Sequence, residues 1–173
     1  MARLHQINLQ FDPLQDRALL RLNTEEQAEF RFWLTRRFVK LLWPVLIRSL
    51  EANPEVERQS SPVGQQTVLS FQREQALGSS DFQTEYHGDA QTFPAGETPR
   101  LVYKAELKPG PGKERTLGLY PKDGQGVQLA LTEALLHSFC KLLAETVAKA
   151  AWDLPAVGAK TSPPIRPDSA RLN

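Results

Sequence analysis

Residues 23–52 read NTEEQAEFRFWLTRRFVKLLWPVLIRSLEA, and the fold turns on where the helix in this stretch begins. Asn23 and Thr24 stand where an N-cap belongs, and Glu26 follows Asn23 by three residues, close to the capping-box pattern. A residue before proline is pushed out of the α region, so the helix stops at Asn53-Pro54. One long helix is therefore predicted over residues 24–52. At about 100° per residue, Ala28, Phe30, Leu34, Phe38, Leu41, Leu42, Val45 and Leu46 spread over a broad apolar sector. Arg36, Arg37 and Lys40 fall outside it, with Trp33 among them. Pro44 removes one helical hydrogen bond and predicts a kink or a division there.

The cations are the first candidate site. Between Phe30 and Leu50 the chain has five basic residues and no acid, while Glu25, Glu26 and Glu29 precede it. Part of that order is complementarity to a helix macrodipole. The rest predicts a basic stripe carrying one indole, since guanidinium groups fork onto phosphates or carboxylates and indole offers an apolar plane. Trp33, Arg36, Arg37 and Lys40 are the expected binding residues. The segment from Leu41 to Leu50 is apolar nearly all round, which suits half of a subunit interface and favours a homodimer.

Outward from this helix, the sequence reads as strands. Ile7, Leu9 and Phe11 alternate with Asn8 and Gln10, a turn follows at Asp12–Asp16, and Ala18, Leu20 and Leu22 alternate again. That is a hairpin. The last third repeats the grammar with three strands: one over Leu101–Lys108, one over Arg115–Tyr120, and one carrying Val127, Leu129 and Leu131. Thr132 then caps a helix to Trp152, with Leu135, Phe139, Leu142, Leu143 and Val147 inside and His137, Lys141, Glu145 and Lys149 outside. The expected fold class is α+β: an antiparallel sheet of about five strands with two long helices on one face, in the order ββα, connector, βββα. The two flanks read either as a diverged duplication or as one common motif used twice.

The chain of 173 residues, 40% hydrophobic and 24% charged, has room for one core and excludes a fully disordered or collagen-like protein. A single α+β domain is expected over residues 1–152, in three parts: 1–52, an acidic connector over 53–100, and 101–152. A disordered tail follows over 153–173, where Pro163-Pro164-Ile165-Arg166-Pro167 has the form of a polyproline ligand. Basic and acidic residues balance at 21 and 20 overall but segregate, giving +2, −4 and +3 for the three successive parts, the last taken to residue 173. The connector collects Pro, Gly and Ser, has one expected helix over Gln65–Leu77, and carries acids that could shield the basic stripe. One cysteine forms no internal disulfide, and no apolar run spans a bilayer, so a cytoplasmic protein without membrane contact is expected.

Other chemistry is sparse. The acidic segment DFQTEYHGD offers Asp81, Glu85, His87 and Asp89 as the least implausible metal ligands, weak candidates beside the plainer reading of a polar loop, and the enzyme reading rests on them alone. His137 and Cys140 lie one turn apart with nothing to complete them. Gly110-Pro111-Gly112-Lys113 lacks the spacing of a phosphate loop and reads as a turn. No cofactor and no catalytic residue is expected. The leading expectation is a non-catalytic interaction or regulatory module. The alternative is a single-stranded nucleic-acid binder adding Tyr103, Lys104 and Lys108 from a strand surface, with protein or nucleic acid as partner accordingly.

Gln15–Thr24, QDRALLRLNT, followed by Glu29–Arg37, EFRFWLTRR, resembles an uncharacterised proteobacterial family that opens this way. The resemblance implies a bacterial source and a non-secreted protein, and it carries no activity. Strands followed by a helix, twice over, is also similar to the Whirly and PUR-type single-stranded nucleic-acid binders. Those have four strands before each helix, where this sequence shows two and three.

Overall fold

The structure, a computed structural model, describes residues 2–79, 86, 88 and 90–157. Three strands come first: β1 (Ala2–Asp12), β2 (Arg17–Thr24) and β3 (Glu29–Thr35). The third is a correction. Phe30, Phe32 and Leu34 are buried while Arg31, Trp33 and Thr35 are only partly so, which is the two-residue period of a strand. β3 pairs antiparallel with β2, from Arg17 opposite Thr35 to Asn23 opposite Glu29. The intended cap serves the turn instead: Thr24 Oγ1 accepts from Ala28 N at 3.2 Å, and Gln27 takes φ 58°.

The helix α1 (Arg36–Glu51) starts twelve residues later than expected, capped by Thr35, whose Oγ1 accepts from Phe38 N at 3.2 Å. It runs continuously through Pro44. The connector is more helical than expected, with α2 (Pro54–Glu57) and an 18-residue α3 (Pro62–Ser79). Then come β4 (Arg100–Pro109), β5 (Arg115–Pro121), β6 (Val127–Leu131) and α4 (Glu133–Lys149). Trp152 and Leu154 beyond α4 are also buried, and residues 158–173, including the proline cluster, lie outside the described residues.

The sheet is mixed and has six strands, not five antiparallel ones. β3 pairs parallel with β4 through Phe32–Arg100 and Trp33–Leu101, and β6 pairs parallel with β1 through Ala2–Leu129 and Arg3–Ala130. These two joins close a barrel in the order β1-β2-β3-β4-β5-β6. Each join holds two residue pairs, and Leu20, Phe32, Leu34, Leu117, Leu119 and Leu129 fill the interior.

The barrel consists of two βββα halves with matching connectivity. Thr132 caps α4 as Thr35 caps α1, accepting from Leu135 N at 3.2 Å. Val39, Leu42, Trp43, Leu46 and Leu50 are the buried residues of α1. Leu136, Phe139, Cys140, Leu143 and Val147, at the same intervals from their own threonine, are buried in α4. The two helices lie alongside each other with opposite direction. Asn53 Nδ2 after α1 donates to Glu133 Oε2 at the start of α4, at 2.6 Å, and Trp152 Nε1 after α4 donates to Asp16 Oδ1 in the β1–β2 turn, at 2.7 Å.

Candidate binding surface

Arg36 and Arg37 occupy the first turn of α1, where no acid accompanies them. Backbone N–H groups make that end of a helix positive, so each cation there is disfavoured by roughly 0.3–1 kcal/mol. With the helix starting at Thr35, Glu25, Glu26 and Glu29 belong to the preceding turn and strand, so the expected macrodipole complementarity is absent. Arg36, Arg37 and Lys40 are all exposed, and none forms an ion pair among the described residues. Arg36 Nη2 makes one long contact, 3.5 Å, to the carbonyl of Asp153.

Trp33 is on a different element. It projects from the outer surface of β3, half-buried, in register between Leu19 of β2 and Leu101 of β4. The expected indole-bearing helix stripe is thus a cationic helix start next to an apolar strand surface. Strand alternation extends that surface along β4: Val102 is buried, whereas Leu101 and Tyr103 are exposed by 42% and 67%.

Lys104 and Lys108 flank Glu106 on the outer face of β4, at 2.6 and 2.7 Å. Hydrogen bonds from Lys104 and Lys108 draw the Glu106 carboxyl down to about 2. The same pairing raises both lysines. The three groups together present less positive charge than two free lysines would.

The described part of the connector shields other arginines than those of α1. Gln91 N donates to Gln27 O at 2.9 Å and Glu29 N to Thr92 O at 2.9 Å, laying the segment beside β3. Arg31 Nη1 donates to Glu97 O at 3.2 Å, and its guanidinium lies 4.7 Å from the Phe93 ring. Arg21 lies 4.8 Å from the Tyr86 ring. Beneath them Glu29, fully buried, accepts from Arg31 Nε at 2.6 Å. Burial foremost, then the Glu29 charge, pushes the Tyr86 phenol well above its ordinary range. Sequence reading missed this cluster because it counted Glu29 among the acids at the start of a helix, whereas Glu29 is a buried position of strand β3.

Asp81, Glu85, His87 and Asp89 lie outside the described residues; among the described residues no three His, Cys, Asp or Glu side chains converge. His137, expected outside, is buried under α3. Burial first, with the charge of Arg73 adding, holds its imidazole down to about 4, and burial pushes the Cys140 thiol up to about 12. Both are neutral at pH 7, so they form no thiolate–imidazolium couple. An unfolded chain protonates His137 near its ordinary 6.5 while the folded one resists to about 4, so stability should fall as pH drops through that window. The expected loss is about 2–3 kcal/mol, and His137→Gln should flatten it in urea titrations at pH 7 and 4.5.

No family model, curated protein or solved structure matches this chain. No helix among the described residues is long and apolar enough to cross a membrane.

Proposed function

We propose that this chain is a non-catalytic binding module of the bacterial cytoplasm that recognises an anionic partner through Arg36, Arg37 and Lys40, with Trp33 on the adjoining strand. The observation that carries this is the placement of two exposed arginines in the first turn of a 16-residue helix, with no acid there and no ion pair among the described residues. A position that works against the macrodipole is explained by a ligand that supplies the missing negative charge. The bacterial setting rests on the QDRALLRLNT and EFRFWLTRR segments.

The test separates function from folding. Arg36→Ala with Arg37→Ala should weaken binding of fluorescently labelled polyglutamate at least tenfold while leaving the melting temperature unchanged or slightly higher, since two unfavourable dipole contacts disappear. Unchanged affinity, or lost affinity together with a clearly lowered melting temperature, would refute this role.

Single-stranded nucleic acid is the second reading. The exposed Tyr103 and Leu101 beside Trp33 favour it, because bases stack on outward aromatic rings. It predicts that oligothymidylate affinity falls steeply with salt and drops again with Tyr103→Ala.

A further inference from the structure

The two halves of the fold are clad unequally. α3 lies on α4, with Gln72 and Ala76 of α3 and His137, Ser138 and Thr146 of α4 buried. Counted from the capping threonines, those three positions of α4 correspond to Lys40, Leu41 and Ser49 of α1. There Lys40 and Leu41 are exposed. Leu41 is exposed by 62% and Val45 by 43%. Arg37, Leu41, Val45 and Arg48 follow one another at helical steps of four, four and three, so they line one side of α1 as a ridge that is apolar in the middle and cationic at both ends.

We propose that this ridge seats an acidic amphipathic helix of a partner protein, laid on α1 as α3 lies on α4. The proposal rests on α1 being an anion-recognising surface and adds the partner's shape: apolar residues at i, i+3, i+4 and i+7 over Leu41 and Val45, with carboxylates reaching Arg37, Lys40 and Arg48. Charge selects this occupant. A second copy presenting its own α1 would set the same three cations against themselves. A second copy presenting α3 would bring one arginine and one glutamate, a neutral face. Nucleic acid would engage the cations and leave Leu41 and Val45 in water.

Three labelled probes of about 18 residues, long enough to form helix in isolation, test it by fluorescence anisotropy on the full chain. They are a Leu/Glu peptide with that period, a scrambled isomer without it, and polyglutamate. The periodic peptide should bind at least tenfold tighter than its isomer. Leu41→Ser with Val45→Ser, both at exposed sites, should erase that preference and leave polyglutamate binding intact. Equal binding of all three probes overturns the helical partner while sparing the anionic surface; binding of none overturns both. Tighter binding of oligothymidylate than of either peptide, or a dimer in sedimentation that the double variant dissociates, overturns the proposal in favour of nucleic acid or a second copy.

Discussion

Phe32→Ala is expected to remove about 3–5 kcal/mol of folding free energy, the usual cost of emptying a fully buried phenylalanine site. Phe32 is 0% exposed in the barrel interior, its ring stacked near that of Phe30 at 6.4 Å between centroids. A domain typically has only about 5–15 kcal/mol in all, so the urea midpoint should fall by a large fraction. Trp33→Ala, one residue on, should cost far less despite the larger ring, because Trp33 faces outward. The pair tests β3 directly. Equal losses would mean that neighbouring side chains share one environment, which a strand closed into this barrel forbids.

Arg31→Ala is expected to have an effect of similar size for an electrostatic reason. It leaves the Glu29 carboxylate, 0% exposed, without its 2.6 Å partner, and stranding a buried charge costs roughly 3–5 kcal/mol. Chemical denaturation at pH 7 should show that loss. Adding Glu29→Gln should recover most of it, since the amide has no charge to strand. A cost below about 1 kcal/mol for Arg31→Ala alone, within the range of an exposed ion pair, would place Glu29 in contact with water. This cluster fastens the end of the connector to β2 and β3, so the same variant should also speed proteolysis between Ala90 and Pro99.

The C-terminal half was largely legible. Val127, Leu129 and Leu131 alternate, Thr132 is a cap by type and place, and the hairpin residues Pro109–Gly112 advertise a turn. The N-terminal half misled because its second turn lacks such marks. Glu25, Glu26 and Gln27 are ordinary helix formers, and the left-handed conformation falls on Gln27, at φ 58°, without glycine or asparagine to announce it. Phe30, Phe32 and Leu34 fit a strand period, but the acids before them and the arginines after them also fit a helix with complementary ends.

For the candidate site, the cations Arg36, Arg37 and Lys40 were legible as exposed because their polarity excludes them from any core. Their relation to Trp33 was not, since it depends on where β3 ends. The exposed pair Leu41 and Val45 was assigned to the apolar sector, as their side chains alone would suggest. Their exposure depends on α3 covering α4 rather than α1.

Local pattern by itself therefore determined which side chains are apolar at strand or helix spacing, the threonine cap of α4, and the segregation of charge along the chain. Tertiary structure alone decided the barrel closure, the placement of Trp33 on a strand beside β4, the burial of Glu29, and the exposed ridge of α1. The physical reason is range. Periodicity and capping are set by neighbours within a few residues, whereas the β3–β4 and β6–β1 joins and the seating of α3 are set by surfaces that meet only after the chain has folded.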